Sequence, residues 1–162
     1  MGVDAPGLCA SFVVPVALLA TFIYNGEIET MEPEIVLIRG VPGSGKTTMA
    51  KKMVGYMHFE ADMYLEVSGK YVYDAAKVPK AHDWCVASAR AALEQGKNVV
   101  VSNTFAKVWE LKRYIDLGYP FRIIEATGSW PNVHGVPQDR VELMKARWEP
   151  LSRVLKPGFP AR

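Results

Sequence analysis

The sequence predicts an α/β fold in which a parallel sheet of about four strands lies between layers of helices. Short apolar runs alternate along the chain with longer segments of helix length, and this alternation is typical of parallel strands joined by helical crossovers. The three valines at 99–101 have no polar residue between them, as expected of a strand that is buried on both faces. These observations together predict three layers with the sheet in the middle.

The first strand is predicted at 35–39, where an apolar run leads into a glycine-rich loop. A helix at 45–54 follows and stops at Gly55, because glycine commonly ends a helix in the left-handed conformation. A short second strand at 57–61 leads to Asp62 and a polar loop. Asp62 is therefore the first carboxylate expected after the second strand.

The second half of the chain continues the same alternation. A long helix has Pro79 in its first turn and Gly96 after its end, which are the positions that proline and glycine favour. The later elements are a strand at 99–101, a helix at 108–117, a strand at 121–126 and a helix at 137–148.

The composition fits one folded domain. The 162 residues are 49% hydrophobic and 22% charged, which provides enough apolar material for a compact core. A net charge of +2 creates no strong field for a polyanion, so any nucleic acid would be held by a local site. Cys9 and Cys85 lack metal-ligand spacing, which favours free thiols in a reducing compartment. A cytoplasmic location follows, or the host cytoplasm for a phage protein.

The two ends of the chain are assigned to segments outside the main domain, which is predicted at 31–150. Residues 1–30 form an apolar extension whose role stays open between a start-site extension, a membrane anchor and a packed accessory segment. Its apolar stretch at 8–24 is broken by Pro15 and has no lysine or arginine before it, which disfavours a membrane span and a secretory signal. Residues 151–162 are predicted to form a flexible tail.

The strongest functional signal is the loop that follows the first strand. Residues 40–47 match the spacing G-x-x-x-x-G-K-T, and the backbone N–H groups of such a loop cradle phosphate oxygens beside the helix dipole. Lys46 is predicted to reach the outer phosphates of ATP and Thr47 to ligate magnesium. The predicted ATP-binding residues of the loop and helix are Gly40, Pro42, Gly43, Ser44, Gly45, Lys46, Thr47 and Thr48.

A carboxylate is missing from the place where many nucleotide-hydrolysing enzymes keep one to hold magnesium. The third strand ends in Ser102, Asn103 and Thr104, none of which carries a charge. Asp62 instead follows the second strand, and the ligands of parallel sheets collect where strands end. A hydroxyl that accepts a phosphoryl group needs a carboxylate to take its proton. Asp62 is therefore the predicted general base, with a helix cap or a solvated loop residue as the alternative.

Five motifs occur in a selective order and spacing, "GVPGSGKTT", "HFEADMY", "AHDWC", "VVVSNTF" and "NVHGVP". Over about residues 34–149 the chain resembles small P-loop kinase-like proteins, with AAA-type ATP-binding domains, related to the kinase domain of phage polynucleotide 5'-kinase. The resemblance implies a sheet of order 2-3-1-4, ATP with magnesium, and phosphorylation of a hydroxyl. It also implies that Asp62 occupies the position of the family's general base.

Two positions depart from that family. Asn103 stands where polynucleotide kinases carry aspartate, so the ordering of magnesium or substrate would rely on Thr47 and the Asn103 amide. The lid before the "GVP" turn is rich in arginine in the family, whereas Trp130 lies on this approach here. Arg140 or Arg147 in the last helix would then meet the charge of the transition state, with surface solvation as the alternative.

Further residues are candidates for substrate contacts. His82 could line the acceptor site with Asn103 and Thr104, or could pack its helix. His134 could contact adenine or stabilise its turn. The sequence thus predicts an ATP-dependent kinase that acts on a polynucleotide 5'-end or a nucleotide-like small molecule. A non-catalytic or weakly hydrolytic ATP-binding regulatory module is the alternative.

Overall fold

The computed structural model describes residues 21–24, 27–30, 32–131 and 135–154. In chain order the elements are β1 (Thr21–Tyr24), β2 (Glu27–Thr30), β3 (Ile35–Arg39), α1 (Lys46–Lys51), β4 (Tyr56–Phe59), a 3₁₀ helix (Ala61–Leu65), β5 (Glu66–Val67), β6 (Lys70–Tyr71), α2 (Val78–Glu94), β7 (Asn98–Asn103), α3 (Val108–Ile115), β8 (Phe121–Glu125), α4 (Gln138–Ala146) and a 3₁₀ turn (Leu151–Arg153).

The central sheet has four parallel strands in the order β4-β7-β3-β8. When only these four strands are numbered in chain order, the order is 2-3-1-4. The predicted fold class is therefore confirmed. The register pairs Arg39 of β3 with Asn103 of β7 and with Glu125 of β8. The carboxyl ends of these three strands therefore lie side by side, and the loops that leave them share one edge of the sheet.

Alternate residues of β3 pack into two cores on opposite faces of the sheet. Ile35 and Leu37 lie in a cluster with buried side chains from α2 and α3, whereas Val36 and Ile38 lie with Ala50 of α1. All four β3 side chains are fully buried. Because both faces of the strand are covered, the near-continuous apolar run that predicted it is explained.

A buried arginine ties the end of β3 to the segment after α4. The Arg39 guanidinium lies 3.9 Å from the centroid of the Trp148 ring, and both of its terminal nitrogens donate to the Glu149 carbonyl oxygen at 3.1 Å. The Glu149 carboxylate in turn accepts a hydrogen bond from the Val108 N–H at 2.9 Å, at the start of α3. These contacts hold the chain beyond α4 against the edge of the sheet from which the glycine-rich loop leaves.

The polar loop predicted after Asp62 is more regular than its composition indicates. Residues 61–65 form a 3₁₀ helix, and β5 and β6 then form a two-stranded antiparallel hairpin. Ser68 and Gly69 both have positive φ, 52° and 76°, which is the geometry of a two-residue hairpin turn. The hairpin places Tyr71 beside the 3₁₀ helix that carries Asp62.

The segments predicted to lie outside the main domain are described in part. β1 and β2 pair antiparallel within the predicted extension, and residues 1–20 lie outside the described residues. None of the helices in the described ranges is long and apolar enough to cross a bilayer. In the predicted tail, Val154 is buried in the core after the 3₁₀ turn, and residues 155–162 lie outside the described residues.

Candidate active site

The loop between β3 and α1 adopts the compact turn that its glycines predict. Gly45, the residue before α1, has φ 89° and ψ 12°, and no side chain caps the helix there. A Cβ on Gly40 would lie 2.2 Å from Ser44 Oγ and 2.9 Å from the Ala126 carbonyl oxygen, so only glycine fits. The uncapped start of α1 leaves backbone N–H groups directed out of the helix, as a phosphate-binding loop requires.

Lys46 and Ser44 contribute the polar side-chain groups of this loop, an ammonium group and a hydroxyl. The Lys46 ammonium donates to the Val41 carbonyl oxygen at 2.9 Å. Burial lowers the pKa of Lys46, and the carboxylates of Glu60 and Asp62 partly offset that effect. Ser44 Oγ is buried without a hydrogen-bond partner among the described residues. The loop therefore offers a cation and an unpaired hydroxyl, a set of groups that fits the oxygens of a phosphate chain.

Glu60, which sequence reasoning missed, lies at the centre of a hydrogen-bonded group beside the loop. The hydroxyls of Thr47 and Ser102 both donate to Glu60 Oε2, at 3.0 and 3.1 Å. His58 Nε2 is 2.8 Å from Ser102 Oγ and 3.6 Å from Glu60 Oε1. Burial lowers the pKa of His58, Lys51 acts in the same direction, and Glu60 opposes them. The group joins the ends of β4 and β7 to the first residues of α1.

Asp62 lies one residue into the 3₁₀ helix and is half-buried. Its carboxylate acts on the Lys46 ammonium by charge and accepts a hydrogen bond from Tyr71. Burial, followed by the negative charge of Asp62, raises the pKa of Tyr71 to about 12. The structure therefore places the predicted general base close enough to Lys46, the lysine predicted to bind phosphate, for their charges to interact. The catalytic role of Asp62 stays a prediction.

Asn103 supports the backbone next to Asp62. It is only 7% exposed, its Oδ1 accepts the Ala61 N–H at 2.9 Å, and its Nδ2 donates to Cys85 Sγ at 3.7 Å. The carbonyl of Thr104 accepts the Gly40 N–H at 3.3 Å. The amide of Asn103 thus fixes the start of the 3₁₀ helix, and its predicted contact with substrate stays a prediction.

Trp130 packs over the glycine-rich loop. Its backbone N–H donates to the Gly43 carbonyl oxygen at 2.9 Å, and a Cβ on Gly45 or Gly128 would lie only 2.8 or 1.6 Å from a carbon of its ring. The indole is still 64% exposed. An open cleft of about 590 Å³ borders this residue and is lined by the loop, the segment after β8, and Gln138, Val141, Lys145 and Trp148.

The two arginines predicted for the lid lie on α4 and just after it. Arg140 and Arg147 are both exposed, and neither lines the cleft. Lys145 is the cation of α4 that does, and it forms an ion pair with Glu142 at 3.0 Å. No contact of either arginine with the loop is described, so their catalytic role stays a prediction.

The remaining candidate residues lie around the site in different ways. Thr47 is half-buried and Thr48 is exposed on α1. His82 lines a second cleft of about 350 Å³ together with Trp109 and Arg113 of α3. His134 lies outside the described residues.

A phosphate-binding loop at the carboxyl edge of a parallel 2-3-1-4 sheet defines a P-loop kinase-like nucleotide-binding domain. The chain belongs to the AAA domain family, which matches residues 35–142. ATP is the nucleotide that this class of domain implies, typically with magnesium.

Individual relatives agree with this placement. Human NEDD4-binding protein 2 is 26% identical over an alignment of 133 residues, and the match covers 71% of this chain and 8% of that protein. The bifunctional polynucleotide phosphatase/kinase of Schizosaccharomyces pombe is 30% identical over an alignment of 93 residues, and the match covers 56% of this chain and 19% of that protein. The chain therefore spans less than a fifth of either relative.

One solved structure shows the same architecture. A chain in the structure of the Pnkp1/Rnl/Hen1 RNA repair complex superposes with a TM-score of 0.54 at 16% identity, over 71% of this chain and 43% of that one. At this identity the likeness establishes the fold.

Proposed function

We propose that the protein is an ATP-dependent kinase that transfers the γ-phosphoryl group of ATP to a hydroxyl group. The observation that carries this proposal is that the glycine-rich loop with Lys46 and the 3₁₀ helix with Asp62 both leave the carboxyl edge of one parallel sheet. A lysine in the loop can offset charge on the transferred group, while a carboxylate beside it can take the proton of the attacking hydroxyl. Both groups of an acceptor-directed transfer are therefore present in one site.

In the proposed reaction the acceptor oxygen forms a bond to the γ-phosphorus as its proton passes to the Asp62 carboxylate. The bond from the γ-phosphorus to the β–γ bridging oxygen breaks, and ADP leaves with that electron pair. Lys46 and the backbone N–H groups of the loop stabilise the charge on the phosphate oxygens. Tyr71, which donates to Asp62, holds the carboxylate in a defined orientation.

The nucleoside part of ATP is assigned to the cleft beside Trp130. The cleft adjoins the loop and presents two indoles, those of Trp130 and Trp148, and aromatic rings stack on nucleobases. At the other end of the loop the Thr47 hydroxyl is an oxygen ligand of the kind that magnesium prefers, and the Glu60 carboxylate accepts its hydrogen bond. Magnesium, when bound, neutralises phosphate charge.

A polynucleotide 5'-end or a nucleotide-like small molecule is the proposed acceptor. Support comes from the Schizosaccharomyces pombe relative, which is named as a polynucleotide phosphatase/kinase. The small net charge of +2 agrees with recognition of an end rather than of a long stretch of backbone.

A transfer screen with labelled ATP tests this function. The acceptors are DNA and RNA with 5'-hydroxyl ends, nucleosides and small alcohols, and 5'-phosphorylated oligonucleotides serve as matched controls. We expect label on a 5'-hydroxyl oligonucleotide or a nucleoside, and none on the blocked control. Transfer to small alcohols alone would overturn the nucleic-acid acceptor, and ATP binding without transfer to any acceptor would overturn the kinase.

A regulatory ATP-binding module is the second candidate function. It is favoured by the uncharged Asn103, whose amide is engaged with Ala61 and Cys85, and by the exposed positions of Arg140 and Arg147. This candidate predicts ATP binding that changes the protein's stability or its partners without phosphoryl transfer.

The lid cation gives a separate prediction. We propose that Arg140 or Arg147 meets transition-state charge, and we add Lys145 because it lines the cleft. Alanine at the responsible position should lower kcat by about a hundredfold with a smaller loss of ATP affinity, since the charge it meets develops during transfer. Steady-state kinetics on the three single variants identify the residue. Wild-type kcat in all three would leave the described part of α4 without a catalytic cation.

A further inference from the structure

Glu60 is in direct contact with Thr47, the residue that the phosphate-binding motif assigns to magnesium. Its Oε2 accepts the Thr47 hydroxyl at 3.0 Å, and its side chain is only 13% exposed. A carboxylate that is largely removed from water needs hydrogen-bond donors or a cation to offset its charge. The donors that face it are Thr47 and Ser102, with His58 at the other oxygen.

The proton positions in this group leave the Thr47 oxygen able to bind a metal. A hydroxyl has one proton and two lone pairs, and the proton of Thr47 is directed at Glu60. Both lone pairs therefore face away from Glu60. Ser102 likewise donates its proton to Glu60, so it accepts a hydrogen bond from His58 Nε2–H at 2.8 Å. The carboxylate is thus held in place from the ends of two strands.

The position at which related kinases carry an aspartate is occupied differently. Asn103 directs its amide at the Ala61 N–H and at Cys85 Sγ, and it has no charge to offer a cation. The adjacent Ser102 contacts Glu60 instead. The end of β7 therefore contributes to the site by orienting a carboxylate that the end of β4 supplies.

We propose that Glu60 takes over the metal-anchoring role of the missing strand-end aspartate: it holds the Thr47 hydroxyl as a magnesium ligand and accepts hydrogen bonds from the water shell of the ion. Magnesium usually keeps several waters when it binds beside substrate phosphates, so one hydroxyl ligand and one carboxylate that accepts hydrogen bonds from those waters are sufficient. Glu60 is a positioning residue for the metal, and Ser102 and His58 orient it. The inference rests on the proposed ATP and magnesium site and does not depend on the acceptor.

Glu60→Gln tests this role because it keeps the side-chain shape and an oxygen acceptor for Thr47 but removes the charge. ATP affinity is measured by calorimetry with excess magnesium and again with a chelator, for the full-length wild type and the variant. We expect the gain in ATP affinity that magnesium gives to fall by about tenfold or more, as loss of outer-shell partners typically does. Affinity in the chelator should be unchanged or higher, because a negative charge near the phosphates is removed.

Glu66→Gln is the matched control, since Glu66 is exposed on β5; its magnesium response should equal that of the wild type. Electron paramagnetic resonance of Mn²⁺ with ATP provides a second readout that needs no turnover, and bound Mn²⁺ should decrease in Glu60→Gln alone.

Two results would overturn the proposal. One is a wild-type magnesium response in Glu60→Gln, and the other is an equal loss of ATP affinity with and without magnesium, which would mean that Glu60 only supports the loop. Failure of the kinase proposal looks different. A wild type that binds ATP with magnesium but transfers to no acceptor removes the kinase and leaves the Glu60 assignment standing.

Discussion

Lys46→Ala is expected to abolish phosphoryl transfer and to weaken ATP binding by about a hundredfold, while the fold stays intact. Hydrogen bonds to charged groups contribute about 1.5–3 kcal/mol each, and a loop lysine meets more than one phosphate oxygen. In the structure the ammonium donates only to the Val41 carbonyl oxygen among the contacts described. Its removal therefore costs little stability compared with the loss of phosphate contacts. Calorimetry with ATP and a thermal melt measure the two quantities.

The matched control is Lys52→Ala, because Lys52 is exposed at the end of the same helix. Its ATP affinity and melting temperature should be those of the wild type. Burial lowers the pKa of Lys46, so the charged form, which phosphate binding needs, is lost at a lower pH than for an exposed lysine. ATP affinity should accordingly fall as pH rises through that lowered pKa. An unchanged ATP affinity in Lys46→Ala would refute the phosphate role.

The central strands, the ends of α2 and the glycine-rich loop could be predicted from the sequence, because residue type and hydrophobic pattern indicate the same structure there. The valines of β7 and the apolar run of β3 are buried on both faces, so their lack of polar alternation identified them as central strands. Pro79 and Gly96 bracketed α2 to within two residues of its observed end, Glu94. The loop residues from Gly40 to Thr47 fold as their motif predicts, because glycine is needed at Gly40 and Gly45 for steric reasons.

Glu60 was not predicted as a site residue because the end of the second strand was predicted too late in the chain. The second strand was expected to run to residue 61, which places Glu60 within the strand and makes Asp62 the first carboxylate beyond it. β4 instead ends at Phe59, so Glu60 is the first residue after the strand and turns toward Thr47. Element ends are the least certain part of a sequence-based assignment. The signal that could have found Glu60 was its place at the same sheet edge as Ser102.

The orientation of α4 was also beyond the sequence. A helix start that shifts by one residue rotates every side chain by about 100°, and α4 has a single buried residue, Val141, to mark its inner side. The structure turns Gln138, Val141 and Lys145 toward the cleft. Arg140 on α4 and Arg147 just after it are exposed and do not line the cleft, which no residue pattern within 137–148 indicated.

Asp62→Asn is expected to lower phosphoryl transfer by about two to four orders of magnitude, because the amide keeps the shape of the side chain but cannot take a proton. ATP binding should change little, because the substitution leaves Lys46 and the uncapped start of α1 in place. Transfer, ATP affinity and melting temperature are measured on the same preparation. Asp116→Asn is the matched control, because Asp116 pairs with Lys112 at the end of α3 and should leave all three quantities at their wild-type values.

The three quantities separate the possible roles of Asp62. If Asp62 ordered magnesium, Asp62→Asn would lower ATP affinity in a magnesium-dependent way, which is the result expected for Glu60→Gln. Added magnesium would then restore part of the transfer. If Asp62 only capped the 3₁₀ helix, Asp62→Asn would lower the stability of the protein by about 1 kcal/mol and leave transfer intact. If Asp62 is the general base, Asp62→Asn loses transfer but keeps its ATP affinity and melting temperature. Full transfer activity in Asp62→Asn would therefore remove the base from the proposed mechanism. Loss of transfer with intact ATP binding in Asp62→Asn would assign the proton role to Asp62. Loss of the magnesium response in Glu60→Gln would assign the metal role to Glu60.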